Sequence, residues 1–361
     1  MTKHRQIFES LRDRIASGKY TAADRLPSEA ELSRRFGVSR PTAARALRDL
    51  QQLGLLERKV GSGTYLRSGP PADTRTLSAG LLVPGLGNTE ILDPICNEIT
   101  RAGQARNMNV LWGDASSPAN TVDDALAICQ QYINQKVDGV FFAPLENAFD
   151  REAVNLRIAE TLQKAGIAVV LLDRDVSDFP KRSHFDLIGI DNFQSAFVLT
   201  NHLIEIGCKT FRFLARPGYP STTDLRLAGC REAIARSTVG KNQALKADFG
   251  NPAELDFVRS ILRGKPDVIV CANDLTAALL IQTLSNLGVQ LPDEVRVVGF
   301  DDVRYATLLS VPLTTIRQPC EHIGQAAVNA MLERLANHKM APRQILLNGE
   351  LIVRKSCGSS K

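Results

Sequence analysis

Apolar positions along this 361-residue chain follow two regimes. Up to residue 66 they recur at helical spacing in short segments. Ile7, Phe8, Leu11 and Ile15 share one face over 4–17, and Gly18 marks a stop. Leu32 and Phe36 stripe a second short helix. Ser28 opens it, with Glu31 three residues on, which is the spacing of a capping box. Gly37-Val38 makes a tight turn. A third helix starts at Ser39, tolerates Pro41 in its first turn, and buries Ala46, Leu47, Leu50 and Leu53 before Gly54. The period then shortens to two for strands over 55–58 and 64–66, joined by Gly61-Ser62-Gly63. Three helices and a hairpin in so few residues predict a winged helix-turn-helix.

From Leu77 onward, short apolar runs alternate with amphipathic stretches. Buried strands are predicted over 79–83, 110–112, 137–143, 167–173, 187–191, 210–215, 268–271 and 295–300. Helices are predicted over 92–106, 121–135, 152–165, 193–206, 225–236, 253–263 and 275–287. Strand–helix alternation means parallel sheets covered on both faces, an α/β class. About 280 residues in two strand clusters predict two lobes, with ligands at the carboxyl ends of strands in the cleft between them. The stretch "RSGPPADTRT" at 67–76 is polar, with Pro70-Pro71, and reads as a semi-extended linker reaching roughly 30 Å. The expected organisation is therefore 1–67, a linker at 68–77, and a body at 78–361.

Charge sharpens this division. The whole chain carries a formal +5. Residues 1–67 hold fourteen Lys and Arg against seven Asp and Glu, and the remainder holds thirty against thirty-two. The positive excess sits in the first fifth, which points to a polyanion-binding module on a neutral one. No apolar run approaches the roughly 18–20 residues that span a bilayer, and no signal-peptide core opens the chain. A cytoplasmic protein without membrane contact is expected. The seven Cys are scattered and the five His isolated, so neither a metal site nor a cofactor is expected.

The segment "GKYTAADRLPSEAELSRRFGVSRPTAARALRDLQQLGLLERKVGSGTYL" resembles the GntR-type DNA-binding head along its whole length. Its landmarks are Leu26-Pro27-Ser28-Glu29, Phe36-Gly37-Val38-Ser39-Arg40 and Gly61-Ser62-Gly63-Thr64-Tyr65. The resemblance implies that the third helix enters the major groove of double-stranded DNA by its N-terminal end. Ser28, Ser39, Arg40 and Thr42 then fall at contact positions, and Arg40 has the side chain best shaped for guanine. Gly61, Ser62 and Gly63 form the wing. Arg34, Arg35, Arg45, Arg48, Arg58 and Lys59 serve the phosphates. Ala30 and Ala44 stand where the family usually has Arg, so the family's operator sequence does not transfer.

The body carries "VDGVFFAPL", "IAVVLLDRD", "IGIDN", "LRLAG", "CANDLTA", "LPDEVRVVGFDDVR" and "PLTTIRQP". Across 78–357 these resemble LacI/GalR-type regulators and periplasmic sugar-binding proteins. By that resemblance Asn88, Glu90, Asp173, Arg174, Arg226, Asn273, Asp301 and Gln318 line the cleft, with Trp112 and Tyr219 as stacking candidates. Carboxylates accept from vicinal hydroxyls, Arg donates, and Asn and Gln do both, which suits a small saccharide. The combined order is similar to arabinose-repressor-type transcription factors. It implies a homodimer on a palindromic operator and a repressor released by its effector. Three alternatives stand beside it: an activator or corepressor-dependent regulator, a purine or other non-sugar effector, and a sugar-acting enzyme using Asp173, Asp301 and Asp302. Arg40→Ala is expected to weaken binding to the specific operator far more than to random DNA. Titrations of both duplexes at one salt concentration check this, and an equal loss on both makes Arg40 a phosphate contact.

Overall fold

The computed structural model describes all residues except 1–2, 17–19, 21–23, 53–55, 60–62, 67–75, 84–89, 114–121, 147–149, 239–244 and 360–361. The chain divides into two compact units, Met1–Arg75 and Thr76–Lys361. The expected linker falls mostly outside the described residues. The body's first strand begins at Leu77, one residue before the expected boundary.

The head contains α1 (Lys3–Ala16), α2 (Glu29–Phe36) and α3 (Arg40–Gln52), then β1 (Leu56–Lys59) paired antiparallel with β2 (Gly63–Leu66). Ser28 and Glu31 close the capping box, and Gly37 ends α2 at φ +62°, where glycine costs least. Ile7, Leu11, Leu32, Ala46, Leu47 and Leu50 form the core, as the stripes require, joined by Leu26, Ala43 and Leu56. Gly18, Leu53 and Gly54 lie outside the described residues. Arg25 bridges to Tyr65 and Leu26 N–H donates to Thr64 O, which ties the wing to the segment before α2.

The body has two lobes. The first runs β3 (Leu77–Leu82), α4 (Leu92–Gln104), β4 (Met108–Trp112), α5 (Val122–Gln135), β5 (Gly139–Phe142), α6 (Arg151–Lys164), β6 (Ala168–Leu172) and β7 (Asp186–Ile190). The chain then crosses to the second lobe. That lobe runs α7 (Asn192–Glu205), β8 (Phe211–Ala215), α8 (Thr222–Arg236), β9 (Lys246–Phe249), α9 (Leu255–Leu262), β10 (Val268–Cys271), α10 (Asp274–Asn286), β11 (Arg296–Asp301) and β12 (Thr314–Arg317). It crosses back for α11 (Cys320–Ala336) and β13 (Gln344–Leu347), and returns for β14 (Glu350–Ile352). The sheet orders are β13-β7-β6-β5-β3-β4 and β14-β12-β11-β10-β8-β9. All pairings are parallel except β12 with β14.

The inner strands β5, β6, β7 and β10 are buried at every residue, which is why they read as unbroken apolar runs. The strands absent from the sequence reading have other reasons. β9, β13 and β14 are edge strands with half-exposed residues, and their patterns are mixed. β12, over Thr314–Arg317, was not among the expected strands. α11 was not expected, because its buried face includes Gly324, Ala327 and Ala330. Helices α7 and α8 pack closely. A Cβ on Gly229 would lie 2.2 Å from Phe193 O, so only glycine fits there. That approach brings Asn192, at the start of α7, to Arg226 on α8. Among the described residues no helix is long and apolar enough to cross a membrane.

Candidate functional site

The carboxyl ends of β5, β6, β11 and β12 and the starts of α7 and α8 bring seven polar side chains to the cleft. Arg226, on α8, has a side chain only 5% exposed. Its Nε donates to Asn192 Oδ1 (2.8 Å), Nη1 to Ala272 O (2.6 Å) and Nη2 to Asp301 Oδ1 (3.3 Å). The guanidinium also lies 4.7 Å from the centre of the Phe300 ring. Gln318, beyond β12, donates from Nε2 to the same Asp301 oxygen at 2.8 Å. Across the cleft, Arg174 follows β6. It pairs with Asp173 at 3.0 Å and with Glu146, which follows β5.

Three buried polar atoms in this group have no hydrogen-bond partner: Asp173 Oδ1, Arg174 Nε and Gln318 Oε1. Each unmade bond of this kind costs roughly 1–3 kcal/mol. Both carboxylates are also held in the left-handed region, Asp173 at φ +68° and Asp301 at φ +113°. Such backbone costs of order 1–3 kcal/mol each and gathers at ligand sites. Burial pushes the Asp301 carboxyl up to about 6, against the opposing pull of Arg226 and Gln318, with Asp173 adding a further upward push.

The remaining expected residues divide. Asn273 caps α10, and its Oδ1 accepts from Thr276 N (2.9 Å) and Oγ1 (2.7 Å). It also lines a cavity of about 360 Å³ with Glu146, Arg216, Tyr219, Asn251 and Thr276. Glu90 accepts a hydrogen bond from the Tyr305 hydroxyl at 3.0 Å, joining the two lobes. Asn88 lies outside the described residues. Tyr219 stacks on Phe249 at the cavity rim, with ring centres 5.1 Å apart. Trp112 does not line this cavity. Its Nε1 donates to Thr100 on α4. Asp302 is tied to Arg317 (2.7 Å) and Arg354 (2.6 Å), so it is committed to structure. Sequence reasoning missed Glu146 and Asn192. Glu146 had a signal, since it follows a buried strand as Asp173 does. Asn192 had only its place in "IGIDN", and its role comes from the α7–α8 packing.

In the head, Arg34, Arg35, Ser39, Arg40, Arg45 and Arg48 are exposed and Thr42 is half-buried. Ser39 Oγ and Thr42 Oγ1 are 2.8 Å apart at the start of α3. The Ser28 hydroxyl is engaged with Glu31. Lys59 lies on β1 and Gly63, at φ +131°, on β2, while Gly61 and Ser62 lie outside the described residues. A Cβ on Gly63 would lie 2.6 Å from Arg25 Nε, so the glycine makes room for that side chain.

Residues 3–66 match the model of bacterial regulatory proteins of the gntR family. Residues 200–357 match the periplasmic binding protein-like domain. An arabinose metabolism transcriptional repressor of Geobacillus stearothermophilus is 26% identical over 376 residues, 99% of this chain and 98% of that protein. The transcriptional repressor PurR of Photobacterium profundum is 31% identical over 198 residues, 54% of this chain and 58% of its own. The solved complex of the transcriptional regulator CelR with cellobiose shares the fold. Its TM-score is 0.66 at 20% identity, over 92% of this chain and 100% of that one.

A pH dependence follows from Asp301. Its folded value is raised, so its contribution to the stability of the empty body is full below about 3.8 and is lost as pH rises through about 6. A ligand whose hydroxyls donate to the ionised carboxylate opposes that loss. Ligand-induced thermal stabilisation is therefore expected to be larger at pH 8 than at pH 5, and to become flat with pH in Asp301→Asn. Melting curves with and without sugar across that range check this.

Proposed function

We propose that this chain, a transcriptional regulator with a GntR-type head and a periplasmic-binding-protein-like body, is a repressor released from its operator when a small sugar fills the body cleft. The observation that carries the reading is the buried ring of Arg226, Asp301, Asn192, Gln318, Asp173 and Arg174. It offers carboxylate acceptors, guanidinium donors and amides at close quarters, and three of its atoms await partners. A vicinal diol donates to a carboxylate and accepts from a guanidinium, so a polyol completes the set. The group that releases it need bind one state only a few kcal/mol better than the other. The protein acts by binding and not by turnover. Of the three carboxylates an enzyme would use, Asp302 is consumed by two arginines.

In the head, Arg40 at the start of α3 reads base edges, and the exposed arginines with Lys59 meet phosphates. A homodimer would place two heads on the two halves of a palindrome. Support for the dimer comes from the second lobe. There Ala278, Leu279, Ile281, Leu308 and Leu309, edged by the polar Gln282, Ser285, Asn286 and Ser310, line a shallow hollow of about 460 Å³, and Leu308 is 81% exposed. A second copy of the chain covers this apolar face. Its two elements are α10, capped by Asn273, and the turn over 304–307, which follows Asp301. Effector contacts and dimer contacts thus share the same two segments, which couples them.

Arg226→Ala is expected to lower the melting temperature of the body, to keep operator binding at temperatures where the variant stays folded, and to raise the sugar concentration needed for release at least about 30-fold, the equivalent of losing about 2 kcal/mol from a buried charged contact. Operator titrations against pentoses and hexoses test this. A mutant that responds at the normal concentration refutes the cleft assignment. Leu308→Glu is expected to convert the chain to monomers by sedimentation and to weaken operator binding, while sugar binding persists.

A further inference from the structure

We infer that two contacts outside the effector ring latch the lobes shut over it, so that an effector enters only when both contacts part. The ring is sealed. Asp173, Arg174, Arg226 and Gln318 are each no more than 6% exposed, and the three atoms without partners are all buried. Asp173 and Arg174 belong to the first lobe, Arg226 and Asp301 to the second. A sugar therefore reaches these groups only when the lobes separate. Contacts beside the crossings between lobes change least on such a motion, so a latch has to join the lobes farther out.

Two contacts among the described residues meet this condition. The Tyr305 hydroxyl, in the turn after β11, donates to Glu90 Oε2, just before α4, at 3.0 Å. Burial and the neighbouring carboxylate push the phenol's pKa up, so it stays a neutral donor. Arg151, at the start of α6, donates from Nη1 to Tyr219 O, which follows β8. Asp178 holds that guanidinium in place, accepting from Nε at 3.2 Å and Nη2 at 3.0 Å. Here Arg151, Asn155 and Arg174 face Pro220 and Ser221 across a gap of only about 10 Å³, room for one water at most. Glu90 follows β3 and Tyr219 follows β8, and each of these is the fifth strand of six counted from the crossing edge. The contacts are also joined to the ring along the chain. Asp178 lies five residues after Asp173, Tyr219 seven before Arg226, and Tyr305 four after Asp301. Parting the ring parts the contacts. They re-form over a bound effector, so the latch slows entry and exit alike and leaves the affinity little changed.

Only the effect on effector entry rests on the repressor reading. The latch itself is tested without sugar or DNA, so its failure stays distinct from the failure of that reading. Spin labels at Gln130→Cys on α5 and Leu255→Cys on α9 report the distance between lobes. Both positions are exposed, and the two helices follow the outer strands β4 and β9. The native cysteines are buried or, at Cys320, half-buried, and the chain without the two added cysteines gives the background. The labelled full chain is diluted with unlabelled chain, so that only distances within one copy are read by pulsed electron spin resonance. The population at longer distance is expected to be at least about fivefold larger in Tyr305→Phe combined with Arg151→Ala than in the otherwise native chain. Arg236→Ala, which removes an ion pair with Glu232 within α8, is expected to leave the distances unchanged. Thermal melting verifies that each variant is folded. An unchanged distance distribution in the double variant, or an equal lengthening in Arg236→Ala, overturns the proposal.

Discussion

The buried guanidinium of Arg226 is the constraint around which the body's polar interior is arranged. Removed from water, it needs a charge partner and hydrogen bonds on every face. Asp301 supplies the charge, Asn192 and Ala272 O supply acceptors, and the Phe300 ring supplies a π face. The partners come from three places in the fold, the start of α7, the end of β10 and the end of β11, so their placement depends on the whole second lobe being correctly packed. The close α7–α8 approach at Gly229 is one condition for it. Breaking such a pair from one side costs about 3–5 kcal/mol, so the cleft's geometry and the lobe's integrity are linked.

The first lobe repeats this logic in a less complete form. Arg174 is held by Asp173 and Glu146 but keeps an unpaired Nε, and Asp173 keeps an unpaired Oδ1. One side of the cleft is thus nearly satisfied on its own and the other is not. A ligand gains most from the incomplete side and is oriented by the complete one. That asymmetry fits a sensor, in which binding must change the relation of two halves, better than it fits a rigid receptor.

Much of this was legible in the sequence because the physics is local. Buried parallel strands are continuous apolar runs, and the polar residue that ends each run lies at the strand's carboxyl end by topology. Asp173, Arg174, Asn273 and Asp301, which the resemblance singled out, stand at such ends, and the capping box at Ser28 and Glu31 needs only three residues of context. What escaped depended on distant packing. Asn192 looks like a helix-start residue until α8 is laid against α7. The edge strands β9 and β13 face two environments and show no clean period. Helix α11 mixes Gly324, Ala327 and Ala330 with Ile323, Val328 and Met331 on its buried face, which blurs its apolar period.

The three crossings between lobes all pass along one side of the molecule, by the β7–β13 edge of one sheet and the β12–β14 edge of the other. A body bound by three covalent threads along one border behaves like a book with a spine. Sliding and twisting are restrained, and the covers are left mainly one angle to vary. Whatever molecules the interior recognises, their chemistry is reduced to that angle before it leaves the body. Changes near the spine should therefore alter the amplitude of the signal, and changes between the covers should alter which molecule sends it.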